Sequence, residues 1–351
     1  MKSIFRTLTV FKVTFALLLP CCMIGTAAAQ ADKIYKLSFA HHMSTSSPLH
    51  TMVYAPFKED LEKLSKARIQ VTIYPGAALG KPQAEYDMVT KGAADMVQFA
   101  PDYTPGVFPL SDIFCLPFAI PNAEVGRKVA AEMFEKKLLD TKYYNSKAIA
   151  WIGTTSSYQL FLAKRKVTGL DDMKGLKVRT PGGLMGEALT TLGATPVSVP
   201  GGEFPTALER GVVDAGLISF AGARSYRLKD LCKYATKADT GVIVMGFMVN
   251  RAVYEGLPKD LQEVFDQAAR NFLTNQVASF DVADQEVIQE VKQAGVEIIE
   301  LDPAEKARWV QKCVPIYDKW INDMKSKGLP VEAAYAEYKT ILKKHGVELP
   351  R

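Results

Sequence analysis

Arg179 stands at the end of a short β-prone run, residues 176–180, and is followed at once by Pro181-Gly182-Gly183 and an apolar helical pattern over 184–192 that Gly193 stops. A strand that turns through glycines into a helix gathers unpaired backbone N–H groups and the positive end of a helix dipole at one point, which suits an anion. The planar guanidinium of an arginine placed there can hold a carboxylate through two parallel charged hydrogen bonds, a geometry that lysine lacks. The chemistry predicted is recognition of an organic anion. A single arginine is more often a solvated surface charge, so the reading draws on the rest of the chain.

Other chemistries find less. Neither a Gly-x-Ser-x-Gly elbow nor a His-Glu-x-x-His helix occurs, which weighs against a secreted hydrolase, the main alternative from another class. His41 and His42 look like half of a metal site. Adjacent strand residues point to opposite faces, however, and no Cys or carboxylate pattern completes the set, so no metal and no cofactor is expected. Of five cysteines, Cys115, Cys232 and Cys313 are widely spaced and odd in number, which implies neither a disulfide framework nor a zinc site.

The elements that must position Arg179 begin after a leader. Lys2, Arg6 and Lys12 flank a short apolar run, residues 13–24, and Ala27-Ala28-Ala29 forms a cleavage pattern before Gln30, so residues 1–29 read as a secretory signal peptide. Pro20 before Cys21 disfavours a lipoprotein. Removing this segment lowers the formal net charge from +5 to about +2, and no concentrated basic patch remains for nucleic acid. The remaining ~320 residues suggest two domains.

From Lys36 strand and helix patterns alternate. "YKLSFA", "IQVTIYP" and "ADMVQFA" read as strands, with helices over residues 48–64 and 80–92, and such βα alternation builds a parallel sheet whose ligands bind beyond the strand ends. "KGAADMVQFA" at Lys91 and "RGVVDAGLIS" at Arg210 echo each other as a glycine-capped helix end turning through Asp into a strand. Two similar lobes follow from that echo. Crossings near Thr155 and Gly241 would join them as a hinge. After Pro258 one apolar helical face, Leu261, Val264, Phe265, Ala268 and Phe272, continues to about Lys292, roughly 50 Å of helix. An edge strand near "VEIIELD" and helices over residues 303–327 and 331–345 complete the chain.

"DDMKGLKVRTPGG" with "LGATPVSVPGGEFPTALERGVVDAG", together with "YPGAALGK" and "GFMVNR", closely resembles the substrate-binding proteins of tripartite ATP-independent periplasmic (TRAP) transporters, dicarboxylate-receptor type. The resemblance implies an α/β fold of two lobes, a periplasmic binding protein of type II-like architecture with a hinge and a long helix spanning both lobes. It implies lobe I over 30–154 plus about 243–285, and lobe II over 155–242 plus about 286–351. It also implies a periplasmic, monomeric receptor that hands a small carboxylate to TRAP membrane subunits, with a sensor partner as the alternative among binders.

The resemblance assigns Arg179 to the ligand's carboxylate. Gln159 falls where sialic-acid members carry a second arginine, which predicts a ligand with one carboxylate, and Tyr158 is its candidate neighbour. His41 and Tyr103 occupy ligand-facing positions of the first lobe by the same resemblance. Ser219, Phe220 and Phe247 complete the candidates, and Phe161 joins the aromatic residues that hint at an apolar or aromatic acid. Keto-acid members can carry Glu-Trp as cation ligands where this chain has Leu217-Ile218, so bound sodium is not expected.

Overall fold

The computed structural model describes residues 33–350, and the signal-peptide reading of residues 1–29 lies outside them. The strands are β1 (Tyr35–Ala40), β2 (Ile69–Tyr74), β3 (Met96–Phe99), β4 (Ala148–Thr154), β5 (Gln159–Leu162), β6 (Lys177–Thr180), β7 (Thr195–Ser198), β8 (Ala215–Ile218), β9 (Tyr234–Lys237), β10 (Val244–Asn250) and β11 (Glu297–Glu300). They form two sheets, ordered β2-β1-β3-β10-β4 and β11-β9-β5-β8-β6-β7.

The two sheets share one plan. β1 runs parallel to β2 and β3, as β6 does to β7 and β8. β10 lies antiparallel between β3 and β4, and β5 lies antiparallel between β8 and β9. Each inserted antiparallel strand arrives from the other lobe, so each lobe is completed by its partner's chain. The sequence echo has a structural counterpart. Gly92 and Gly211, at φ of +76° and +70°, end their helical turns in the left-handed region. Asp95 Oδ2 then accepts from Ser38 N at 2.8 Å on β1, and Asp214 Oδ2 from Lys177 N at 3.0 Å on β6. Each aspartate thereby ties its turn to the neighbouring parallel strand.

The principal helices are α1 (Ala55–Leu64), α2 (Glu85–Lys91), α3 (Ala123–Glu135), α4 (Gly183–Thr191), α5 (Phe204–Glu209), α6 (Phe220–Ser225), α7 (Lys259–Gln293), α8 (Pro303–Cys313), α9 (Pro315–Ser326) and α10 (Val331–Lys344). The helix expected over 48–64 is present without a gap: Pro48 and Leu49 are helical, a wide turn follows at His50–Tyr54, and it runs straight into α1, with Ala55 N closing on His50 O. Pro56 explains the widening, because it has no N–H for a regular helical bond and its ring crowds the preceding turn.

The 35-residue α7 underlies both lobes. Its Asn271 Nδ2 donates to Asp60 of α1 at 2.7 Å, while Glu286 and Glu290 take Arg224 of α6 at 2.8 and 2.7 Å. Leu261, Phe265, Ala268 and Phe272 are buried along its apolar face. After β11 the chain first stays with the second lobe, where Glu305 of α8 accepts from Leu170 N at 2.6 Å and Lys319 of α9 meets Glu187 of α4 at 2.7 Å. α10 returns to α3, where Glu132 meets Lys344 at 2.9 Å and His345 at 2.7 Å, and Lys136 meets Glu337 at 2.6 Å. One contiguous apolar core runs through both lobes.

Candidate functional site

Two crossing segments, residues 155–158 and 238–243, join the sheets and bond to each other. Thr155 N donates to Ile243 O at 3.0 Å, and Tyr158 N to Gly241 O at 2.8 Å. Beside them lies a cavity of about 40 Å³ walled from both lobes. His42, Met43, Leu49, Tyr103 and Met245 come from the first lobe. Arg179, Ile218, Ser219, Ser225 and Tyr226 come from the second. Thr155, Tyr158 and Ile243 belong to the crossings, and Phe280 of α7 closes the back.

Arg179 sits on β6 between Val197 of β7 and Gly216 of β8. Its Nε donates to Val199 O at 2.8 Å and one terminal nitrogen to Leu217 O at 3.3 Å. The guanidinium carbon lies 5.7 Å from the centre of the Phe204 ring, within cation–π range. Gly216 makes room for that ring, since a Cβ there would come within 2.2 Å of Phe204. Arg179 is 2% exposed, alone among the described lysines and arginines in being buried, and no carboxylate pairs with it among the described residues. A buried guanidinium without a counter-charge is costly unless an anion arrives. Tyr103, Tyr158 and Tyr226 surround it. Burial raises all three phenols and Arg179 pulls each back down, so their O–H groups remain protonated donors near the guanidinium.

Of the residues read from the sequence, the cavity gathers Arg179, Tyr158, Tyr103 and Ser219. The others lie elsewhere. Gln159 spends its amide on the crossings, donating to Ser157 O at 3.1 Å and Asp239 Oδ1 at 2.8 Å and accepting from Asp239 N at 3.2 Å. As the strand neighbour of Tyr158, it faces the other way. The same alternation corrects His41, which is 1% exposed in the first-lobe core, hydrogen-bonded to His50 at 3.0 Å, while His42 faces the cavity. Phe220 packs edge-on against Phe161 at 5.6 Å within the second lobe. Phe247 lies deeper along β10 than cavity-lining Met245, stacked on Trp151 at 5.0 Å. Pro181, Gly182 and Gly183 line a separate opening with Asp102 and Tyr103, so the expected glycine-turn anion seat is not where Arg179 points.

Asp102 has its carboxyl pushed up to about 7 by burial, with Cys115 and Arg179 pulling the other way. An unfolded aspartate ionises near 3.8, so between that pH and 7 the native state holds more protons, and stability falls as pH rises through the window. Asp102→Asn is therefore expected to leave the ligand-free melting temperature unchanged at pH 4 and to raise it by roughly a few degrees at pH 8. Melts across this range check it, and an equal gain at both pH values would refute the assignment.

A sequence profile of the bacterial extracellular solute-binding proteins, family 7, matches residues 39–323. The C4-dicarboxylate-binding periplasmic protein of Rhodobacter capsulatus is 26% identical over 308 residues, which cover 86% of this chain and 91% of that one. A TRAP solute-binding protein from Rhodoferax ferrireducens T118, solved with copurified benzoate, overlays with a TM-score of 0.84 at 23% identity, covering 89% of this chain and 98% of that one. A marine metagenome TRAP solute-binding protein specific for aromatic acid ligands, solved with 3-hydroxybenzoate, overlays with a TM-score of 0.83 at 25% identity, covering 89% and 99%.

Proposed function

The chain belongs to the bacterial extracellular solute-binding proteins, family 7, the carboxylate receptors of TRAP transporters, and on that premise we propose that it captures a small organic monocarboxylate with an apolar or aromatic body in the periplasm. The observation that carries the ligand class is the buried Arg179 guanidinium, which no carboxylate of the described chain neutralises. A ligand carboxylate supplies the missing charge, and the three tyrosine hydroxyls can add neutral hydrogen bonds to it. Leu49, Ile218, Ile243, Met245 and Phe280 offer the rest of the ligand an apolar surface. The aromatic acid bound by the marine relative is of that kind.

The receptor binds and releases its ligand unchanged and hands it to TRAP membrane subunits. Both walls of the cavity come from one chain, so a monomer suffices for binding. Export would use residues 1–29.

The Rhodobacter capsulatus relative is named for C4-dicarboxylates. In this chain Arg179 is the one lysine or arginine among the cavity's described lining residues, so a second carboxylate would be buried without a cation. Titration calorimetry with matched acids is expected to give monocarboxylates roughly ten- to a hundredfold tighter than dicarboxylates of similar size. Tighter dicarboxylate binding would mean that another basic group reaches the ligand. Absence of binding by every carboxylic acid tried would sink the receptor reading itself.

A further inference from the structure

We propose that the ligand carries a hydroxyl group besides its carboxylate, and that His42, fixed by Glu85, is the residue that selects for it. The proposal rests on the carboxylate-receptor reading and specifies the ligand further.

His42 Nδ1 lies 2.8 Å from Glu85 Oε1, and the two side chains are 5% and 4% exposed. The Tyr103 ring braces the imidazole edge-on at 5.3 Å. Glu85 opens α2 directly after the turn Pro82–Ala84, so its carboxyl sits at a helix N-terminus. With Nδ1 committed, Nε2 is the ring atom left for the cavity, and it makes no hydrogen bond with the described residues. Glu85 Oε2 is likewise buried without a partner.

A buried acid–histidine pair beside an anion site is not explained by anion binding, because a carboxylate there repels the ligand's own charge. Burying the pair is also costly compared with apolar residues of similar size. Its use lies in what it orients. A hydroxyl both donates and accepts, so it can pair with Nε2 in either tautomer of the ring.

The serine and threonine hydroxyls of the lining each already hold a partner on the second lobe, the crossings or across the mouth, leaving Ser219 and Thr155 an O–H to donate. Ser219 Oγ accepts from Gly222 N at 3.2 Å and Thr155 Oγ1 from Ile243 N at 3.2 Å, while Ser225 Oγ is shared with Ser47 at 2.9 Å and Ala221 O at 2.9 Å. The phenols of Tyr103, Tyr158 and Tyr226 all respond to Arg179 and attend the carboxylate end. His42 is thus the free polar contact contributed by the β1 end of the first lobe.

Calorimetry on the full receptor with matched pairs decides this: 3-hydroxybenzoate against benzoate, and 4-hydroxyphenylacetate against phenylacetate. The hydroxy member of at least one pair is expected to bind about ten- to a hundredfold tighter, as for a buried polar atom that gains its partner. His42→Phe alone would strand Glu85, so the variant is His42→Phe/Glu85→Leu, which replaces both partners by apolar groups. It is expected to bring the two members of the preferred pair within about threefold of each other. Should that variant lack a melting transition, the nitrogen-15 shift of His42 Nε2 in the wild type is expected to move with the hydroxy acid and not with its partner. Hydroxyl preference that is absent in every pair, survives in the double variant, or leaves the Nε2 shift unmoved overturns the proposal while the carboxylate reading stands. Failure of all four acids to bind also overturns the proposal, while the carboxylate reading falls only if the wider set of carboxylic acids fails as well.

Discussion

Arg179→Ala is expected to give a folded protein that binds its carboxylate ligand between a hundredfold and several thousandfold more weakly. Removing one member of a buried charged pair commonly costs about 3–5 kcal/mol, because the remaining charge is left without its partner. At about 1.4 kcal/mol per tenfold, that range gives the stated loss. Arg179→Lys keeps the charge but not the two-pronged fit, and is expected to fall between wild type and alanine.

Without ligand the stability change is expected to be small. Alanine removes the bonds to Val199 O and Leu217 O and the contact with the Phe204 ring. It also removes a buried charge with which no carboxylate of the described residues forms an ion pair, and the two effects oppose each other. Calorimetric titration together with ligand-free melts tests both halves. Normal binding by the alanine variant would put the carboxylate elsewhere, and an unfolded variant would make Arg179 a structural residue.

A ligand anion is expected to favour the closed arrangement. Across the cleft mouth the lobes touch through Ser47 and Ser225 at 2.9 Å, Tyr226 and the Met43 sulfur at 3.9 Å, and Lys81 and Glu203 at 4.0 Å with both side chains mostly in water. Exposed ion pairs contribute about 0–1 kcal/mol and single neutral hydrogen bonds about 0.5–1.5 kcal/mol each. A ligand that contacts both walls can therefore dominate the balance between open and closed forms.

Local signals in the sequence carried the architecture further than the site. β-branched alternation, glycine caps and the Asp turn echo depend on neighbours in the chain, and each corresponds to an element: β2 (Ile69–Tyr74), the Gly92 and Gly211 caps, and Asp95 and Asp214 bonding their parallel strands. The 35-residue α7 was legible from its own apolar face. Site residues depend instead on strand parity and on contacts between distant segments. A shift of one residue turns a side chain to the other face, which separates His42 from His41 and Tyr158 from Gln159. Tyr226 reaches the cavity by packing against Gly201, where a Cβ would come within 2.2 Å of its hydroxyl, and Phe280 reaches it from a helix more than a hundred residues beyond the crossing at Thr155. No local pattern signals either contact. The return of α10 to α3 is likewise fixed by long-range ion pairs at Glu132 and Lys136.

Phe247→Ala separates a core residue from a ligand contact. On β10 the ring stacks on Trp151 at 5.0 Å and 5°, and meets Phe272 at 4.6 Å and Phe57 at 4.8 Å under α7. It is fully buried. Truncating such a phenylalanine costs about 3–5 kcal/mol, the lost transfer energy plus the cavity left among rigid rings. In a chain of this size the melting temperature is expected to fall by on the order of ten degrees. Carboxylate affinity, measured well below the melting temperature so that the variant is folded, is expected to stay within about threefold of wild type, because the ring touches no part of the cavity. The inverse result, a small stability loss with a hundredfold loss of affinity, would return Phe247 to the ligand as the sequence alone suggested, and would mean that the first-lobe wall is built differently from the one formed by His42, Leu49 and Met245.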